Sequence, residues 1–211
     1  MEERIIVHQK APNALAWRRL LREWFDLINL YISAPDNGER DVPYWYGERA
    51  LTGLLSAAAW RLEGGWALEE FSAERGGEGG GRSGRGDLWW GIGDAEFTIE
   101  AKICWPEKDI NSAIQGTKRR LERAKKQLLS LAKEYRQGKP YSVCYVVPWP
   151  QIKNFKSSFQ EVFVLLDQVA ERFASENCIV ARYSYGSSPP EYDGRVYPGV
   201  ALVAREEKWR G

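Results

Sequence analysis

The sequence predicts a mixed α/β fold with a partly antiparallel sheet, on three observations. Four segments repeat apolar residues at helical spacing. The runs "DLWWGIG" and "EFTIEAKICW" flank a Gly93-Asp94 turn, the pattern of a β-hairpin. "YSVCYVVPW" is a continuous apolar run rich in β-branched and aromatic residues, as in a strand covered on both faces. The 211 residues contain no internal repeat and no linker long enough to divide them, so one domain spanning 1–211 is expected.

Taken in order, Trp17, Leu20, Leu21, Trp24, Ile28, Tyr31 and Ile32 lie on one face of a helix over Asn13–Ile32, with Arg18, Arg19, Arg22, Glu23 and Asp26 on the rest. "SAPDNGERDVP" is a loop by its Pro and Asp-Asn-Gly. A second helix is predicted over Tyr46–Leu62, with Leu51, Leu54, Leu55, Ala58 and Leu62 inward and Gly64-Gly65 as its stop. "WALEEFSAER" reads as a strand, the Gly-Arg tract after it as a mobile loop, and the hairpin follows. Ile114, Leu121, Ala124, Leu128, Leu131 and Tyr135 seam a long helix from Asn111 or Ser112 to Tyr135, closed by Gly138 and Pro140. Phe159, Val162, Phe163, Leu166, Val169 and Phe173 mark a helix over Ser157–Ala174. "CIVARYSY" and "GVALVARE" then form a C-terminal hairpin around a Pro-Pro and Asp-Gly loop.

Composition narrows the function. A formal charge of +1 gives no global positive field, so any nucleic-acid surface has to be local. Cys104, Cys144 and Cys178 are widely spaced, each in an apolar run, and read as buried free thiols suited to a reducing cytoplasm. The N-terminus has no signal-peptide pattern, and no apolar run approaches the ~18 residues of a membrane span. His8 is the only histidine, which disfavours a His-based metal centre or a Ser-His-Asp triad. The Gly tract lacks the strand-loop-helix setting and the Lys-Ser/Thr of a phosphate loop.

The chemistry concentrates in "EFTIEAKIC". On a strand, Phe97, Ile99, Ala101 and Ile103 share one face and Thr98, Glu100, Lys102 and Cys104 the other. An acid and a base then project together, roughly 6–7 Å apart. Asp87, on the preceding strand, comes alongside them if the hairpin turns at Gly93-Asp94. Two carboxylates beside an ammonium make a hard-cation site of the kind that takes Mg²⁺ with retained waters and phosphate oxygens. The plainer reading of Glu100 and Lys102 is a surface ion pair of ~0–1 kcal/mol.

Asp87, twelve intervening residues, then Glu100-Ala101-Lys102 resembles the PD-(D/E)xK nuclease superfamily and its restriction-endonuclease-like fold. The resemblance implies an αβββαβ core at about 44–148, a mixed sheet flanked by helices. The N-terminal helix and the C-terminal helix plus hairpin are additions to it. It implies a metal-dependent endo- or exodeoxyribonuclease acting on DNA, with Mg²⁺ as cofactor and Mn²⁺ as substitute. Asp87 and Glu100 would hold the metal, the Ala101 carbonyl would be a further ligand, and Lys102 would position or activate the attacking water. Glu48, at the start of the first core helix, matches the family's additional Glu. The family's Pro before the Asp is Gly86 here. Asp193, twelve residues, then Glu206-Glu207-Lys208 repeats the spacing near the C-terminus, but no helix follows it.

The long helix also carries "KRRLERAKK", a local basic excess. Lys118, Arg119 and Arg123 are nominated for contacts to phosphates, and Gln115 for positioning substrate. Trp89, Trp90, Trp105 and Trp149 are either core or base-stacking residues. With no sequence-reading module in the chain, recognition of DNA structure or ends, a homodimer that cuts both strands, or a partner specificity subunit is expected. The Gly-Arg loop is expected to deliver Asp87 and to fold over substrate. Two other functions fit: a nuclease-fold nucleic-acid-binding protein that does not cut, and a protein-interaction factor using a Trp-rich surface.

Overall fold

Amphipathic segments and covered strands assemble here as an α/β fold in which a mixed seven-stranded sheet is flanked by four helices. The computed structural model describes residues 2–6, 13–34, 41–76, 82–107, 109–151, 159–186 and 189–209. Along the chain come β1 (Glu2–Ile6), α1 (Ala14–Ser33), a 3₁₀ turn (Pro43–Tyr46), α2 (Glu48–Arg61), β2 (Gly65–Arg75), β3 (Arg82–Ile92) and β4 (Ala95–Cys104). There follow α3 (Ile110–Leu128), a second 3₁₀ turn (Lys133–Tyr135), β5 (Lys139–Val146), α4 (Phe159–Ser175), β6 (Ile179–Ser184), β7 (Glu191–Tyr192), β8 (Arg195–Val196) and β9 (Gly199–Glu206).

The sheet order is β1-β6-β9-β5-β4-β3-β2. Parallel neighbours need a long crossover, and the single parallel pair, β4 with β5, is the one joined through α3. The hairpin turns at Gly93-Asp94 as expected, with Ile92 opposite Ala95 and Gly93 in the left-handed region at φ 56. β6 and β9 pair antiparallel, and the short β7–β8 ladder sits in the connection between them.

Period two on the strands sorts the core into two layers. Phe97, Ile99 and Ala101 of β4, with Tyr141, Val143 and Tyr145 of β5, pack against α1 and α2. Cys104 of β4, with Cys144 and Val146 of β5, packs against α3 and α4. The first layer is built on aromatics: Trp90 stacks on Phe97 at 4.3 Å, and Trp17 meets Trp90 edge-on at 5.6 Å. All three cysteines are buried and free. Among the described residues, no helix is long and apolar enough to cross a membrane.

Four sequence expectations change. First, the Gly-Arg tract is not all loop. β3 begins at Arg82, so Arg82–Gly86 is strand, and each residue from Arg82 to Gly86 pairs with β2. Residues 77–81 of the tract lie outside the described residues, as does any lid role for them. Second, the long helix ends at Leu128 instead of Tyr135. The chain after it turns back onto the end of β2, where Gly76 N donates to Ser130 O at 2.9 Å and Ala132 N to Glu74 O at 2.8 Å. Leu131 and Tyr135 keep the helical phase but spend it on a small cluster with Ala73. Third, α2 starts at Glu48, not Tyr46, because Gly47 at φ 93 separates it from the 3₁₀ turn. Fourth, β1 was not foreseen; it is an edge strand paired with β6. The expected start of α4 at Ser157 falls outside the described residues.

Candidate active site

A fork in the sheet makes the site. The β3–β4 ladder runs from Ile92↔Ala95 to Leu88↔Ile99 and stops. Beyond it β3 stays with β2 as far as Arg82↔Arg75, while β4 stays with β5 as far as Cys104↔Val146. Backbone donors at a fork lose their strand partner and must be satisfied otherwise. Here the carboxylates do it: Ala101 N donates to Asp87 Oδ2 at 2.7 Å, and the Glu48 carboxylate accepts from the backbone of Ile103. Asp87 is the first β3 residue past the fork, and Glu48 opens α2. Thr52, one turn further on, has its hydroxyl 3.3 Å from that of Tyr145 on β5, which ties this end of α2 to the sheet.

Lys102 gathers the set. Its Nζ lies 3.5 Å from Glu48 Oε1, 3.6 Å from Asp87 Oδ2 and 3.6 Å from Glu100 Oε1, and it donates to the Ala101 carbonyl. The four side chains singled out from the sequence are therefore brought together from α2, β3 and β4 around one ammonium. They line a cleft of about 440 Å³ with Arg49, Glu69, Glu70, Arg75, Arg85 and Gln127 among the other walls.

Sequence reasoning missed Arg75. It reaches back from the end of β2 and pairs through Nη2 with Glu100 Oε2 at 3.0 Å. The same guanidinium donates to the carbonyls of Gln127, at 2.6 Å, and Arg85, so it ties α3 and β3 to the metal-ligand candidate on β4. Glu100 is the most deeply placed of the acids, with a side chain 3% exposed. Burial first, and the neighbouring Asp87 charge second, push its carboxyl up to about 7, against the opposing pull of Arg75 and Lys102. Glu48 is raised for the same first reason. Two acids raised by burial in one cleft make that cleft the candidate functional site. Glu70 faces Asp87 across the β2–β3 ladder, where the pairing skips one step, and it sits at φ 47 in the left-handed region.

Glycines admit these side chains. A Cβ on Gly86 would lie 2.2 Å from Phe71 Cζ, and one on Gly84 would lie 3.0 Å from Arg75 Cδ. Phe71 lies across Gly86, so a side chain at this position has no room unless that ring moves. A Gly86→Ala protein is expected to lose about 1–3 kcal/mol of stability in urea titration, by overpacking against that ring. Adding Phe71→Ala should return part of the loss; an unchanged midpoint in the single variant would show that the ring moves freely.

The other nominated residues disperse. Arg119 and Arg123 line a second cleft, Lys118 turns to Glu176 just after α4 at 3.0 Å, and Gln115 is exposed on α3 outside both clefts. Trp90 is core, and Trp89 packs edge-on against Trp66 at 4.8 Å. The C-terminal set with the same spacing does not assemble: Asp193 sits in the β7–β8 turn, Glu206 accepts from Tyr141 at 2.9 Å, and Lys208 is exposed. Of the tryptophans only Trp60 is exposed, at 60%, while Trp45, Trp66, Trp89, Trp105, Trp149 and Trp209 are half-buried.

Three carboxylates and the Ala101 carbonyl are hard oxygen donors in number and kind for Mg²⁺. Among the described residues no cluster of three or more His, Cys, Asp or Glu side chains stands in metal-holding geometry, and the acids here face the ammonium of Lys102. Compared with protein-family models, curated proteins and solved structures, the chain matches none.

Proposed function

We propose that this chain is a metal-dependent nuclease of the PD-(D/E)xK type, hydrolysing phosphodiester bonds in DNA on a restriction-endonuclease-like core. The observation that carries the reading is the convergence of Glu48, Asp87 and Glu100 to within 3.6 Å of the Lys102 ammonium at the sheet fork. The element order α2-β2-β3-β4-α3-β5 supports it, with Asp87 on the second of those strands and Glu100 and Lys102 on the third.

Asp87, Glu100 and the Ala101 carbonyl would hold Mg²⁺, or Mn²⁺ in its place, with Glu48 as an additional ligand to metal or water. When bound, such an ion neutralises charge on the phosphoryl group and acidifies water. Lys102 orients the attacking water from between the carboxylates. Arg75 fixes the Glu100 carboxylate from the side away from Lys102, so that one oxygen faces the cleft. Water adds to phosphorus, the bond to the leaving oxygen breaks, and that oxygen takes up a proton. A homodimer or a partner subunit supplies sequence choice in this reading, since the chain shows no reading module of its own.

One feature favours a second reading, a nucleic-acid-binding protein that does not cut. Glu100 is held by two cations at once, Arg75 at 3.0 Å and Lys102 at 3.6 Å, an arrangement that is already charge-compensated. Incubation with linear, circular and single-stranded DNA, in Mg²⁺ or Mn²⁺ against EDTA, decides between the two. Cleavage that needs metal, vanishes in Glu100→Ala and survives in Glu206→Ala is the expected result. Salt-sensitive binding without cleavage would establish the second reading.

A further inference from the structure

The same face of β4 that presents Glu100 and Lys102 ends at Cys104, about 7 Å beyond Lys102. Cys104 forms the floor of a second cleft, of about 450 Å³, walled by Trp105, Pro106, Ser112, Gly116, Arg119, Arg120 and Arg123. Three guanidinium groups line it and, among the described residues, no carboxylate does. This concentration is local: on the same helix Lys118 is neutralised by Glu176 and Lys125 by Glu207, whereas Arg119, Arg120 and Arg123 pair with no acid among the described residues. Like charges gathered in a concavity raise the local concentration of an anion.

Trp105 is the aromatic residue of this lining. Trp105 is half-buried and held from behind: Trp149 donates through its indole to the Trp105 carbonyl at 2.9 Å, and their rings lie 5.8 Å apart. Tyr197 meets Trp105 edge-on at 6.4 Å. A fixed ring beside a cationic groove is the combination by which proteins hold unpaired nucleotides, the base on the aromatic and the phosphate among the cations. Bases within a duplex are already stacked on each other and do not reach such a ring. The cleft volume also falls in the range that encloses a nucleotide-sized ligand.

We infer that this second cleft binds single-stranded nucleic acid, with Arg119, Arg120 and Arg123 holding backbone phosphate and Trp105 stacking a base. This rests on the nuclease reading in one respect: it makes the strand entering the carboxylate cleft an unpaired one, a single strand or a frayed end.

The test is binding without catalysis. Fluorescence anisotropy in EDTA compares a labelled twelve-nucleotide single strand with a twelve-base-pair duplex of the same sequence. The single strand is expected to bind at least tenfold more tightly. Arg120→Ala combined with Arg123→Ala should weaken it roughly tenfold and lower the slope of log K against log salt by about 1.4. Trp105→Leu should weaken it by roughly five- to hundredfold at an unchanged salt slope. Equal or tighter duplex binding, or arginine variants that bind the single strand like wild type, would overturn the inference. Because metal is withheld, loss of the nuclease reading alone would leave these binding results standing, and their failure would leave metal-dependent cleavage standing.

Discussion

A Lys102→Met protein is expected to bind Mn²⁺ at least tenfold more tightly than wild type while its cleavage rate falls roughly 10²–10⁴-fold. The two effects have one cause. In the metal-free site the ammonium lies 3.5–3.6 Å from oxygens of Glu48, Asp87 and Glu100, so it is the cation those acids already hold. At an effective dielectric of about 20, a pair at such a distance interacts by about 4 kcal/mol before desolvation is counted. An incoming divalent ion has to displace that ammonium from the acids, and methionine removes the competitor while keeping the length of the stem. On the nuclease reading the substitution also removes the group that orients water, so affinity and rate move in opposite directions. Calorimetric titration of Mn²⁺ reads the first and a DNA cleavage time course the second. If both fall together, Lys102 is chiefly the clasp that keeps three like charges from flying apart. If cleavage is unchanged, Lys102 has no part in the chemistry.

How much of this was written in the sequence depends on the range of the interaction that decides each part. Period two over Phe97–Cys104 is local, and it put Glu100 and Lys102 on one strand face. The spacing to Asp87 follows from a hairpin whose turn residues are also local. Glu48 was reached through the family resemblance and then fell where the fork needs an acceptor for a backbone donor. Arg75 was not legible. Its reach to Glu100 depends on Gly84 leaving room and on the chain after α3 folding back onto β2, two contacts separated widely in sequence. The Gly-Arg tract misled for a related reason. Glycine propensity argues for loop, but in β3 Gly84 lies under Arg75 and Gly86 under Phe71, so cross-strand cover outweighs intrinsic preference. The end of α3 was overrun because Leu131 and Tyr135 keep its period, and only tertiary pairing with β2 says where the helix stops. The second cleft was half visible, through Arg119 and Arg123; nothing in the sequence placed Trp105 in the same lining.

The burial of Glu100 should make the protein in EDTA less stable as pH rises, and Glu100→Gln should remove that loss. The sign follows from linkage. Glu100 titrates at about 7 in the folded chain against an ordinary 4.5, so between those values the native state holds a proton that the unfolded chain has given up. Its contribution to stability is complete below about pH 4.5, declines as pH rises, and is gone above about 7. A rise from 4.5 to about 7 corresponds to about 3 kcal/mol at 1.36 kcal/mol per unit. Glutamine stays neutral at every pH and resembles the protonated acid in shape. The variant and wild type should therefore unfold alike near pH 4.5 in EDTA, and the variant should be the more stable by about 3 kcal/mol at pH 8. In a chain of this size that is a difference in Tm of roughly 6–12 °C. Adding Mg²⁺ or Mn²⁺ should narrow the gap from the wild-type side only, since the ion binds the anionic site and stabilises it by mass action. A stability difference that does not change between pH 5 and pH 8 would mean that Arg75 and Lys102 fully offset the cost of burying Glu100. The site would then be a settled ion-pair network, and the driving force for taking up a metal would be correspondingly small.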